Sequence, residues 1–231
     1  MVADLSHRSV AITTTFTGSE ILIFGAVKRA ALSDSPGRLD VIITVTGPTA
    51  PATVRKKDRV AGIWVNMDQR ERAAVPTFYG VMTSAPLADI LSPLENRRYR
   101  ISPDQAIGPE DESVGAVADE FDEALIRLRE AQDSYQVREG SVRFTDETLF
   151  RTSMSLPANL TEGDYRADIY LTRNSQVIST YVTKIAVTKV GLERFLYRLA
   201  HDRPLIYGLM SLFIAIAAGW LASAAFRLVK L

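Results

Sequence analysis

The polar and apolar positions change rhythm three times along this chain. From Leu5 to Thr83 they follow the two-residue alternation or the short apolar runs of β-strands. Ser9–Phe16 alternates in part and is rich in β-branched residues. Glu20–Val27 is a mostly apolar run, the pattern of a strand covered on both faces. Leu39–Thr46 predicts a further strand, stopped by Gly47 and Pro48. Ala52–Lys57 and Ala61–Asn66 predict two shorter ones, and Thr77–Thr83 closes the block. Turn residues cluster at Thr17–Ser19 and Ser33–Gly37.

The rhythm becomes helical from residue 84 to residue 132. Ser84–Pro86 opens a short turn that runs to Leu91. Ser102, Pro103 and Gln105 have the spacing of a capping box: serine at N-cap, proline at N1 and glutamine at N3. Pro109 starts a longer helix running to Gln132. Its apolar stripe includes Val114, Val117, Phe121, Leu125 and Leu128, at offsets of three and four. Strand rhythm returns over Ser141–Thr145, Thr148–Leu156, Asp164–Arg173 and Gln176–Val190, with a turn at Asn174 and Ser175. Gly163 and Tyr165 have the spacing of a tyrosine corner, in which the phenol bonds back to the upstream backbone.

The last change is to continuous hydrophobicity. Leu205–Phe226 is a run of 22 residues without a charge. At about 1.5 Å per residue it covers roughly 33 Å, enough for a bilayer core of about 30 Å. Tyr207 and Trp220 lie towards its ends, where aromatic residues favour the membrane interface. Residues 191–203 precede it as an amphipathic juxtamembrane helix, and 228–231 follow as a short tail. The fold expected is mainly β: an immunoglobulin-like β-sandwich over residues 1–190, with a helical insertion at 84–132, then the amphipathic helix and a single transmembrane helix over 204–227. Two separate small β domains are the alternative.

Composition narrows what such a chain can do. Lys plus Arg and Asp plus Glu both number 27, so the net charge is zero. That disfavours a nucleic-acid partner, which calls for excess positive charge. Cysteine is absent, which excludes disulfides and thiolate chemistry. The two histidines, His7 and His201, make no metal-site pattern, and no nucleophile, phosphate-loop or dinucleotide motif is present. The acidic groups Glu110–Glu112 and Asp119–Glu123 read as a helix N-terminus and a solvated helix face. The expectation is therefore a protein without catalytic residues, cofactor or metal.

Three features remain as candidate sites. Ser211, Ala215, Gly219 and Ser223 recur every four residues in the apolar run, a stripe that lets another helix approach closely. Arg55, Lys56, Lys57 and Arg59 form a basic cluster suited to an anion or lipid headgroups, or to a solvated strand edge. Arg97, Arg98 and Arg100 form a second cluster. Tyr165 is the structural candidate.

Several strings in order resemble the uncharacterised alphaproteobacterial transmembrane protein family: Phe16–Gly25, Val60–Asn66, Pro76–Tyr79, Leu149–Arg151, Leu156–Asn159, Lys189–Arg194, Tyr207–Leu209, Gly219–Trp220 and Phe226–Arg227. The resemblance implies a secreted domain with a cleavable signal peptide, one C-terminal span and no established activity. It also implies a place near genes for sulfite-exporter-like permeases, hence a transport accessory role. The sequence opens at Met1–Asp4 without a signal peptide, which reads as a cytosolic start or as a mature one. Arg194, Arg198 and Arg203 precede the span and Arg227 and Lys230 follow it. This count by itself favours a cytoplasmic domain; the resemblance favours the periplasmic face of the bacterial inner membrane. The expected function is a non-enzymatic, membrane-anchored periplasmic accessory protein. It would dock on another membrane protein, a permease for instance, or self-associate through the span, with the lipid bilayer as its other partner. The alternatives are an anion- or ligand-binding envelope sensor and a cytoplasmic tail-anchored interaction protein.

Overall fold

The computed structural model describes residues 2–7, 9–13, 16–27, 37–60, 62–108, 120–145, 148–189, 197 and 199–229, with side chains to residue 222 in the last helix. The chain divides into two compact units. One comprises Met1–Val10 and Phe16–Thr188, the other Ala11–Thr15 and Lys189–Leu231.

The first unit is mainly β. Its strands are β1 (Val2–Leu5), β2 (Ser9–Ile12, which runs on into the second unit), β3 (Ser19–Ala26), β4 (Leu39–Thr46), β5 (Thr49–Val60), β6 (Ile63–Pro76), β7 (Tyr79–Thr83), β8 (Tyr135–Arg138), β9 (Arg143–Thr145), β10 (Leu149–Leu156), β11 (Gly163–Arg173) and β12 (Gln176–Lys189). A four-stranded sheet has the order β1-β3-β10-β9. A six-stranded sheet has the order β2-β12-β11-β4-β7-β8, and β5 and β6 form a separate hairpin. Between β7 and β8 lie α1 (Leu87–Ile90), α2 (Pro93–Tyr99), α3 (Pro103–Ile107) and α4 (Glu120–Glu130). β7 and β8 pair in parallel, so the chain between them must cross over. The helices are that crossover.

The six-stranded sheet is covered on both faces. Residues 40–45 of β4 are all buried, as is β7. One face, with Ile43, Ile169 and Met82, meets the smaller sheet. There Gly80 leaves room for Met154, whose sulfur would lie 2.6 Å from any Cβ at position 80. The opposite face carries Ile42, Tyr79, Val81 and Tyr170, which form one core with Ile90, Ile101, Ile107 and Leu125 of the helical layer. The β11–β12 turn has Asn174 and Ser175 at φ 51° and 59°, as a two-residue hairpin loop with the right twist requires. That turn also holds the helices: Ser92 N–H donates to the Ser175 carbonyl at 2.9 Å, and Glu95 Oε2 accepts from Val177 N–H at 3.0 Å.

Four expectations are corrected. β3 is covered on one face only: Ile21 and Ile23 are buried while Leu22 and Phe24 stand exposed, because no layer among the described residues lies over the outside of the smaller sheet at these positions. The two short strands at 52–57 and 61–66 are parts of one long hairpin, with strands of 12 and 14 residues. Ser102 sits at N-cap but makes no side-chain cap. Asn96 takes the Ser102 hydroxyl with its Nδ2 at 2.7 Å and accepts from Ser102 N–H at 2.9 Å. The cap that forms is at Ser92, where the hydroxyl accepts from Glu95 N–H at 3.3 Å with Pro93 at N1. Finally, Asp122 is buried rather than solvated, because Arg72 faces it. The expected helix start at Pro109 and Glu110–Asp119 lie outside the described residues.

In the second unit, α5 (Pro204–Val229) is continuous, and Pro204–Ala222 is long and apolar enough to cross a membrane, with none of that stretch buried. Just before it, the rings of Tyr197 and His201 stack at 4.1 Å. The expected amphipathic helix at 191–203 falls mostly outside the described residues.

Candidate functional site

The β5–β6 hairpin is held at its base and bare at its end. On one face of the base, Val54 is buried in the helical core, and Arg72 meets Asp122 of α4. The pair is bidentate: Nε donates to Oδ1 at 3.0 Å and Nη2 to Oδ2 at 2.5 Å. Arg70 lies over the Phe121 ring at 5.7 Å. Lys56 donates to both carboxylate oxygens of Glu120 at 2.8 and 3.0 Å, which raises its pKa. Beyond that pair the hairpin continues without cover. Val60, Ile63, Trp64 and Met67 are exposed, Trp64 at 70%. Register places Arg59 opposite Trp64, Lys57 opposite Asn66 and Arg55 opposite Gln69. The alternation of a strand sets Arg55, Lys57 and Arg59 on one face and Lys56 on the other. The predicted basic cluster is thus split, with Lys56 tied to α4 and the other three on the opposite face. The groove beside Arg55 and Lys56 also holds Glu120, Glu123 and Arg127, so two carboxylates offset part of the charge of its three cations.

A cavity of about 850 Å³ opens beside the hairpin base, lined by Tyr79, Tyr99, Tyr170, Arg100, Arg166 and Asp168 among others. Its arginines and Asp168 are engaged within the fold, and Glu71 and Asp164 also line it. Arg166 Nε donates to both oxygens of Asp168 at 2.9 and 2.7 Å, and this bond raises the arginine pKa further. Arg100, in a left-handed conformation at the end of α2, donates to the carbonyls of Gln105, Ala106 and Gly108 and so caps α3. Burial pushes the Tyr170 phenol up to about 12, with the Asp168 charge adding to it. Tyr79 is raised further by the same two causes, burial foremost, and its hydroxyl lies 2.8 Å from the Ile101 carbonyl oxygen. Such phenols stay neutral and donate hydrogen bonds at ordinary pH. The cavity therefore offers aromatic walls and bonded ion pairs, with the exposed Glu71 and Asp164 beside them.

The remaining predicted residues fall in separate places. Tyr165 is buried, and its hydroxyl donates to the Thr161 carbonyl four residues upstream at 2.9 Å. Burial pushes that phenol up to about 12. In α5, the Ser211 hydroxyl donates to the Tyr207 carbonyl at 2.9 Å, so it shows a neighbour a small, satisfied surface. Nothing lies within 4 Å of where a Cβ on Gly219 would stand. The side chain of Ser223 is outside the described residues. Arg97 and Arg98 are in the last turn of α2, where cations suit the helix dipole. His7 Nδ1 lies 3.1 Å from the hydroxyl of its neighbour Ser6, and His201 pairs with the Tyr197 carbonyl at 2.9 Å. Sequence reasoning missed the exposed tip: it took Ile63 and Trp64 as part of an ordinary strand over Ala61–Asn66 and left Met67 just beyond it. The signal available was Trp64 with Val60, Ile63 and Val65 about Ala61 and Gly62, with charged residues on both sides of the run.

A family model described as "Putative transmembrane protein (Alph_Pro_TM)" matches residues 1–228. No curated protein matches the chain.

Proposed function

The chain belongs to this family of transmembrane proteins, and from that premise we propose that it is a non-enzymatic, membrane-anchored binding protein of the bacterial inner membrane. Its β domain stands on the periplasmic side and acts by contact. The β5–β6 hairpin is its contact element, and the small-residue face of the span docks on another membrane protein. The observation that carries this reading is the hairpin tip. Large apolar side chains in water are a cost unless something covers them, and here they are concentrated at the end of a hairpin whose base is anchored by a buried ion pair. The engaged arginines and neutral phenols of the cavity support contact rather than catalysis.

A photo-crosslinking residue at position 64 tests the reading in full-length protein in native membranes. Adducts well above those from a control at the exposed Asn159 are expected; background levels at both positions overturn it. The docking by the span has its own arm. Replacing Ala215 and Gly219 with leucine closes the stripe and is expected to abolish co-purification of a membrane partner, and undiminished recovery refutes that part.

A further inference from the structure

We infer that the tip of the β5–β6 hairpin docks shallowly into an anionic lipid surface, with Val60, Ile63 and Trp64 in the headgroup–acyl boundary, Arg59 and Lys57 at the level of the phosphates and Arg55 just outside them. The inference rests on the hairpin being the contact element of the protein and names what it contacts.

The order of residues along the hairpin matches the layering of a bilayer surface. Val60 and Ile63 pair at the extreme end, Arg59 and Trp64 are one step back, and Lys57 is three residues behind the end. A strand rises about 3.4 Å per residue, so Lys57 lies roughly 10 Å behind Val60. The headgroup layer of one leaflet is about 5–7 Å thick, the difference between about 40–45 Å overall and about 30 Å of core, shared between two sides. A tip held perpendicular to the surface with Val60 just past the boundary thus keeps Arg59 and Lys57 at the headgroups, while Arg55, about 7 Å further out, reaches towards them with its long side chain. Tryptophan is favoured at just this boundary, and arginine and lysine stems can lie along the apolar zone with their charges outside it.

The apolar surface also wraps the end of the hairpin instead of forming one face. Val60 and Ile63 are on one side, Trp64 on the other, and the bulge near Lys56 and Lys57 places Met67 outside the regular pairing. An acyl layer covers all sides of such an end at once, whereas a groove on a protein would cover one. The bare outer backbone groups of a two-stranded hairpin limit insertion to the boundary, where water and phosphate can still bond them. Asp58, whose carboxylate accepts from Arg59 backbone N–H at 2.7 Å, keeps its negative charge but is outnumbered by Arg55, Lys57 and Arg59. The span of the same chain keeps a bilayer close to the domain at all times, so even a weak contact is populated.

The chain has two tryptophans, Trp64 and Trp220, so Trp220→Phe leaves Trp64 as a sole reporter. The full-length variant is reconstituted into vesicles of phosphatidylcholine alone, or mixed three to one with phosphatidylglycerol, with bromines carried high on the acyl chains. The expected result is blue-shifted, bromine-quenched Trp64 emission in the mixed vesicles and weaker quenching in the neutral ones. Each basic residue near an anionic surface contributes roughly fivefold, so Arg55→Gln, Lys57→Gln and Arg59→Gln together weaken docking by about a hundredfold and remove most quenching. Emission that matches water-exposed tryptophan and ignores bromine and lipid charge alike overturns the inference. If that occurs while the crosslinker at position 64 captures protein in native membranes, the contact is with a protein and only the lipid assignment falls. If the crosslinker also stays at background, the contact reading falls with it. Intact near-native melting of the triple variant shows that lost quenching is not lost folding.

Discussion

Removing the carboxylate of Asp122 tests how the hairpin is fixed. That side chain is 5% exposed and accepts two bonds from Arg72, whose side chain is 21% exposed. Breaking one partner of a fully buried pair costs about 3–5 kcal/mol, because the other charge is left desolvated. Arg72 keeps a partial path to water, which lowers the figure for Asp122→Ala to about 2–3 kcal/mol. For a domain of this size about 1 kcal/mol corresponds to roughly 2–4 °C in melting temperature, so the expected drop is about 5–10 °C. The assay is near-UV circular dichroism of the full chain in detergent, with limited proteolysis in parallel. Cleavage should appear first between residues 49 and 76, since the pair ties that segment to α4. The double variant Arg72→Met with Asp122→Leu removes both charges and should melt near the wild type. The lone substitution Lys56→Gln should leave the midpoint unmoved, because its pair with Glu120 is fully in solvent. A drop below about 2 °C for Asp122→Ala, or additive losses in the double variant, refutes the claim that this pair anchors the hairpin.

Three further outcomes follow from the geometry. Gly25→Ala places a Cβ 2.7 Å from the Val2 carbonyl oxygen and against the Phe150 ring, so β1 must shift; the expected loss is about 1–3 kcal/mol in urea unfolding, with loosened amide protection of β1. Trp64→Ser, at a position 70% exposed, should leave stability within about 0.5 kcal/mol while abolishing crosslinking from a neighbouring probe at position 63. The phenols of Tyr165 and Tyr170 titrate at about 12 in the fold and near 10 when unfolded. The unfolded state therefore loses these protons first, and their contribution to stability is intact below pH of about 10 and falls as pH rises towards about 12. Equilibrium unfolding against pH should show that decline, with a shallower slope in Tyr170→Phe.

The parts of the fold that follow from local chemistry were legible in the sequence. β4 reads from its apolar run and the Gly47–Pro48 stop, β11 and β12 from alternation and a turn whose Asn174 and Ser175 accept positive φ, and α5 from hydropathy alone. The parts that depend on distant partners were not. Asp122 looks like one more acid on a wet helix, but it is buried against Arg72, fifty residues away. Ser92 and Ser102 carry nearly the same serine–proline start, and the difference between a working cap and an idle one is Asn96, which captures the second hydroxyl. The hairpin was the largest miss. Its strands past Val54 bury little, so neither alternation nor an apolar run marks them; cross-strand bonding carries them outward. Arg55, Lys57 and Arg59 were recognised as a cluster, but their shared face and their distance from the apolar tip needed the register.

The most direct measurement of whether one span holds this domain on the periplasmic face is cysteine labelling, made simple by the absence of native cysteine. Asn159→Cys in intact spheroplasts should react with a membrane-impermeant maleimide, and the labelled chain should stay in the membrane pellet after an alkaline wash. Labelling only after permeabilisation, or release of the chain by the wash, would contradict the account.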